Sequence, residues 1–186
     1  QRAIQEHFDR QQREATVEPV LIQRHPDTEP EPIGVYCSRL KPQRPLSMSV
    51  IIPCQLGATK VVNGTRLVLL NHCLQALSRS LLLTGDDNGE SPKVQIVLIL
   101  NADDDPAKAH EAINRYNLEG IAICDQPGFS FSRKCNLGAR EASGEILVFL
   151  NDDTDMQTPG WADEVASLLA DQDVACVGGM LQNVDR

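Results

Sequence analysis

The sequence is short of positive charge: 17 Lys+Arg stand against 26 Asp+Glu over 186 residues, a formal net charge of −9. No basic stripe exists to neutralise a phosphate backbone, which argues against a nonspecific nucleic-acid binder. A small phosphate-bearing ligand stays open, because metal ions bridge acidic side chains to phosphates. Long apolar runs are missing too. The best, Ile96–Leu100, falls far short of the roughly 20 residues that a membrane-spanning helix needs. There is no Cys-x-x-Cys: Cys37, Cys54, Cys73, Cys124, Cys135 and Cys176 are separated by 17, 19, 51, 11 and 41 residues. Zinc is therefore disfavoured, and the thiols read as buried and free in a reducing compartment. Neither G-x-G-x-x-G nor G-x-x-x-x-G-K-[ST] occurs, which disfavours a standard dinucleotide fold and a P-loop. The chain opens on Gln1 with nothing resembling a signal peptide, and reads as a piece of a longer protein.

What is present suits a core of useful size, since 41% of the residues are hydrophobic. Residues 1–47 carry seven basic and seven acidic residues and six of the eleven prolines. Ala3–Ala15 reads as a short helix that needs a partner. Pro19, Pro26, Pro30 and Pro32 then predict an irregular linker as far as Pro45. From Met48 the pattern changes. Short apolar runs at Ser49–Pro53, Val94–Leu100, Ile121–Cys124, Glu145–Leu150 and Val174–Val177 read as buried strands. Between them, Leu67, Leu70, Leu74, Leu77 and Leu81 mark a helix from about Gly64 to Leu83, followed by a polar turn over Gly85–Pro92. Further helices are predicted over Pro106–Asn117, Ser132–Ala142 and Trp161–Ala170. Strands alternating with helices predict βαβ units: a mostly parallel α/β sheet with helices on both faces. Ligands of such sheets bind beyond the carboxyl ends of the strands. The loops there are Cys54–Gly57, Asn101–Asp105, Asp125–Phe131 and Asn151–Asp155.

Three carboxylates crowd into Asn151-Asp152-Asp153-Thr154-Asp155. Like charges so close are best tolerated around a cation, and Mg²⁺ or Mn²⁺ takes one or two carboxylates plus substrate phosphates. A solvated acidic loop capping the next helix is the plain alternative. An EF-hand fails, because counting from Asp153 puts Thr158 where the sixth-position Gly belongs. Asn101–Asp105 could hydrogen-bond a ribose or a base edge, or simply complement a helix dipole. Ser132, Arg133 and Lys134 sit at a helix start, where N–H groups and positive side chains favour phosphate oxygens. Phe129 and Phe131 could line a cleft or pack beneath that loop, and Trp161 reads as a packing anchor.

Together these segments are specific. SVIIPC, QIVLILNADDD, GFSFSRKCNLGAREASGEILVFLNDDTDM, TPGWADEV and VACVGGML resemble the family 2 glycosyltransferases of GT-A fold, over about Pro45–Leu181. The subgroup they resemble comprises bacterial enzymes that build surface polysaccharides such as O-antigen. The resemblance implies a Rossmann-like α/β domain over residues 48–186, cut short at its C-terminus and preceded by the helix and Pro-rich linker of residues 1–47. It implies metal-assisted, inverting transfer of a sugar from a UDP- or dTDP-linked donor to a saccharide or lipid-linked saccharide acceptor. The expected cofactor is Mn²⁺ or Mg²⁺, and the expected place is the cytoplasm, including the inner face of the membrane. Asp153 matches the metal-facing aspartate, Asp155 a further ligand, and Asp152 the neighbour that contacts ribose or metal water. Pro53 and Cys54 match the loop along the nucleoside, and Lys134 and Asn136 match positions near the diphosphate or sugar. The family's base- and ribose-binding acid falls at Asn101, with Asp103 or Asp104 as substitutes by a one-residue slip. Asn101 and Asn151 both stand where acids are usual. The general base is expected beyond Arg186, so these 186 residues alone are expected to be inactive. A non-catalytic nucleotide-binding or scaffold domain of the same fold, or a Mg²⁺-dependent nucleotidyltransferase, is the alternative.

Overall fold

A computed structural model describes residues 1–42, 44–82 and 92–182. The polar turn expected at Gly85–Pro92 lies almost wholly outside the described residues. The chain divides into two units, Gln1–Arg44 with Glu164–Gly179, and Pro45–Asp163 with the segment from Met180.

In the first unit, helix α1 (Arg2–Arg10) finds the partner its sparse apolar residues require in strand β1 (Ala15–Ile22). Gln1 Nε2 donates to Val17 O at 2.8 Å and Gln5 Nε2 to Ala15 O at 3.0 Å, fastening helix to strand. β1 pairs antiparallel with β2 (Glu31–Leu40). This corrects the expected irregular linker. Proline cannot donate to a ladder, but each strand of a two-stranded ribbon has an outer edge where no donor is needed. Pro19 and Pro32 are accommodated on that ribbon, with a register shift between Pro19 and Leu21.

In the second unit, β3 (Ser47–Pro53), β6 (Lys93–Leu100), β7 (Glu119–Cys124) and β8 (Ile146–Phe149) form one parallel sheet in the order β7-β6-β3-β8. The continuous apolar runs of β3 and β6 are buried on both faces, as parallel strands between helices must be. Helix α4 (Phe131–Glu141) covers Ile51, Val97 and Ile99 through Leu137 and Ala139. It approaches so closely that a Cβ at Gly138 would drive into Ile51 Cγ2. Strand alternation turns Val50, Ile52, Ile96 and Leu98 to the other face. Helices α2 (Leu69–Leu82) and α3 (Pro106–Arg115) supply buried Leu70, Leu74, Leu77, Ala109 and Ile113. Asp105 caps α3 by accepting the Ala107 N–H at 3.0 Å. Helix α5 (Trp161–Leu169) starts on Trp161, which is buried as expected and donates from Nε1 to Ser80 Oγ at 3.1 Å. No described helix is long and apolar enough to cross a membrane.

Two expectations need correction. The chain before α2 forms a hairpin, β4 (Thr59–Val62) and β5 (Thr65–Val68), so the helix begins at Leu69 and Leu67 belongs to a strand. Asn63 and Gly64 take φ +48° and +78°, the left-handed pair that a tight hairpin turn demands and Asn-Gly supplies. Val174–Val177 is not a strand. It joins no ladder among the described residues, and an apolar run without a neighbouring strand has no hydrogen bonds to hold it extended.

At the amino end of the sheet, Ser49 is fully buried and its hydroxyl donates to Gln95 Oε1 at 2.6 Å while accepting the Gly144 N–H at 2.8 Å. The same Gln95 oxygen accepts from the Ser143 N–H and hydroxyl, at 3.0 and 2.9 Å.

Candidate functional site

The strand order fixes where a ligand can lie. From β3 the chain steps through β6 to β7 on one side, then returns through α4 to place β8 on the other. The topological switch therefore falls at β3 and β8, and the crevice opens beyond their carboxyl ends. Cys54 follows β3 there, Asn151–Asp155 follows β8, and Asn101 follows β6 on the neighbouring strand.

One side chain ties the ends of β3 and β6 together. Lys134, in the first turn of α4, is only 2% exposed. Its ammonium donates to Cys54 O at 2.9 Å and to Asn101 Oδ1 at 2.7 Å, with the exposed Phe129 ring centroid 6.0 Å away. The loop before α4 aims it. Ser130 caps the helix by accepting the Arg133 N–H at 3.3 Å. Arg133 Nε reaches both oxygens of buried Asp125 at 3.0 Å, and Nη2 donates to Gln126 O at 3.2 Å and to Gly128 O. Arg133 hydrogen bonds hold the Asp125 carboxyl below the usual carboxylate range, against the opposing effect of burial. Of the two adjacent cations, Arg133 is thus matched by a carboxylate, whereas Lys134 brings its charge to the crevice on two neutral oxygens.

Asp152 is partly buried on the opposite side of β3. Burial pushes its carboxyl up and Asp153 adds to this, while the Gln55 backbone N–H and Lys134 favour the charged form. Asp153 is exposed. Asp155 Oδ2 lies 3.2 Å from His72 Nε2 and accepts from it when that nitrogen carries the proton, and Oδ1 lies 3.6 Å from Arg79 Nη2. Its Oδ1 is buried with no hydrogen-bond partner. His72, Cys73 and Arg79 come from α2, so this helix backs the acidic loop. No spacing in the sequence announces that contact. Cys73 donates to Asn151 O at 3.7 Å. Burial raises both Cys54 and Cys73 to about 12, with Asp152 reinforcing each. These thiols are protonated at neutral pH and serve as small apolar walls rather than nucleophiles.

The remaining residues divide. Pro53 is buried at the end of β3. Asp104 Oδ2 accepts the Asn101 N–H at 3.0 Å and the Leu56 N–H at 3.4 Å, so it shapes two strand-end loops at once. Asp103 is exposed beside it. Asn136 is also exposed, two residues beyond Lys134 on α4, and the helical period turns it away from the Lys134 cluster. Among the described residues no group of three or more His, Cys, Asp or Glu side chains could hold a metal ion alone. Asp153 and Asp155, whose buried Oδ1 has no hydrogen bond although Arg79 Nη2 lies 3.6 Å away, are the carboxylates that would hold Mg²⁺ or Mn²⁺, which takes one or two carboxylates and completes its shell with water and phosphate oxygens.

No protein-family model matches the chain. A stretch of 54 residues, 29% of the chain, is 41% identical to the O-antigen biosynthesis protein RfbC of Myxococcus xanthus. The match spans only 4% of the length of that relative.

Proposed function

We propose that the chain is the donor-binding part of a glycosyltransferase of polysaccharide biosynthesis, acting at the cytoplasmic side of the membrane. It takes a nucleoside diphosphate sugar and passes the sugar to a saccharide or lipid-linked saccharide acceptor. The observation that carries this reading is the pairing of opposite charges across the switch point: buried Lys134 on one side of β3, Asp152 and Asp153 on the other. The likeness to an O-antigen biosynthesis protein supports the biosynthetic setting.

Each group then has a task. The Cys54–Gly57 loop forms the floor under the nucleoside, with Lys134 holding the Cys54 carbonyl in place. Lys134 also contributes a fixed positive potential, which a dry and preorganised site applies to charge developing on the departing diphosphate. Asp152, held by the Gln55 N–H, is placed for a ribose hydroxyl. Asp153 and Asp155 would hold the divalent ion, which supplies Lewis-acid neutralisation of the diphosphate. Inverting transfer also needs a carboxylate to take the acceptor proton, and none of the residues gathered here is assigned that step.

Calorimetric titration with UDP and dTDP, in Mn²⁺ and then in EDTA, tests the reading. Binding that needs both the ion and Asp153, and is lost in Asp153→Asn, is the expected result. Metal-independent binding would favour a non-catalytic module, the second reading, which Asn101 and Asn151 at usually acidic positions support. No nucleotide binding by folded protein overturns the reading.

A further inference from the structure

Lys134 fixes more than a backbone carbonyl. An ammonium group can only donate, so the Asn101 side-chain atom 2.7 Å from Nζ must be the amide oxygen. The Asn101 backbone is held as well, because its N–H donates to Asp104. With Oδ1 turned to Lys134, Asn101 presents its NH₂ group, two donors, away from that ammonium at the partly exposed end of β6.

The inference rests on the reading above in one respect, that a nucleotide lies across the switch point. Its phosphates belong beside the acidic loop after β8. β6 stands two strands away in the order β6-β3-β8, about 10 Å at ordinary strand spacing. A nucleotide running from the acidic loop across Cys54 therefore brings its base over Asn101. The hydrogen-bonding edge of that base then meets donors. Uracil and thymine carry N–H at ring position N3; the Asn101 NH₂ can still donate to a flanking carbonyl, but it offers that N3–H no acceptor, so the N3–H is left unpaired. Cytosine carries an unprotonated acceptor at N3 beside the O2 acceptor, which suits two donors.

We infer that Asn101, its amide turned by Lys134, selects a base with an acceptor ring nitrogen, so that cytidine diphosphate binds in preference to uridine or thymidine diphosphate. A donor facing a donor in a partly dehydrated site loses a hydrogen bond and strands a polar group. The expected preference is tenfold or more in Kd.

Two substitutions test the cause. Asn101→Asp is nearly isosteric and keeps an oxygen for Lys134, but replaces the outward NH₂ by an acceptor, so the preference should reverse towards UDP and dTDP. Lys134→Met frees the amide to turn over, so the preference should fall towards equality. Kd values for CDP, UDP and dTDP are measured by calorimetry in Mn²⁺ on all three proteins, with circular dichroism to confirm folding. UDP or dTDP binding the natural sequence as tightly as CDP would overturn this inference and leave the glycosyltransferase reading standing. A CDP preference unchanged in folded Asn101→Asp would overturn the role of Asn101. Failure of all three nucleotides to bind would overturn the nucleotide-sugar reading and this inference with it.

Discussion

The β1–β2 ribbon, antiparallel, and the β3–β6 pair, parallel, are both held by backbone ladders and have opposite fates. Each is registered over seven residue pairs. In the ribbon Val17 alone is buried, and Leu21 and Val35 are each 54% exposed. In β3 every residue from Met48 to Pro53 is buried, as is Ile96–Leu100 in β6. Pairing gives a strand its shape, but removal of apolar surface from water gives it stability. The candidate site is built at the carboxyl ends of the pair that has both.

That comparison breaks most visibly in the core. Ile51→Ala opens a cavity beneath α4 and should cost about 2–5 kcal/mol, read as a lower midpoint in urea. Gly138→Ala at the same contact should cost about 1–3 kcal/mol, because Ile51 and the helix must separate. Trp161→Phe removes the bond to Ser80 and leaves a small cavity where the larger indole packed, a loss of about 1–2 kcal/mol. In the ribbon, Val35→Thr should change stability by less than about 0.5 kcal/mol. A large effect there would show that the exposed face is covered in solution.

A pH series sharpens the contrast at the loop that aims Lys134. The folded Asp125 carboxyl lies below its unfolded value, which is about 3.9. Its contribution is complete above that unfolded value and is lost as pH falls through the folded one. Asp125→Asn should therefore be less stable than the natural sequence at neutral pH, with the two denaturation curves converging in acid. A difference that stays constant with pH would assign the effect to packing.

Much of this was legible in the sequence, for identifiable reasons. β3 and β6 announce themselves because strands buried on both faces read as unbroken apolar runs; β8 shows a similar run although Leu147 and Phe149 are exposed, and the loops after the three locate Cys54, Asn101 and Asp152 without further help. The β4–β5 hairpin was obscured because Leu67 happens to continue the spacing of Leu70 and Leu74, although Asn63-Gly64 is a strong turn signal. The prolines of the first unit misled because their exclusion applies to central strands and not to a ribbon with open edges. His72 and Arg79 beside Asp155, and the capture of Asn101 by Lys134, depend on tertiary contact between distant segments. The residues were visible in the sequence, but which amide atom faced the cation was not.

The part-buried Ser49–Gln95 hydrogen bond has a consequence for synthesis of the chain. β3 and β6 can pair as soon as both exist, but the other edge of β3 waits for β8, and Ser47 and Glu145, which meet there, are 98 residues apart. β8 follows β6 by roughly 50 residues, a delay of a few seconds at ~5–20 residues per second. During that interval the nascent sheet has an unpaired apolar edge, the usual starting point for pairing with a neighbouring chain. Ser49 and Gln95 put a condition on what may dock there. A strand arriving without a Ser143-Gly144 turn in register leaves their oxygens short of donors as water is expelled. The polar pair therefore favours β8, which brings that turn, over a strand that lacks it.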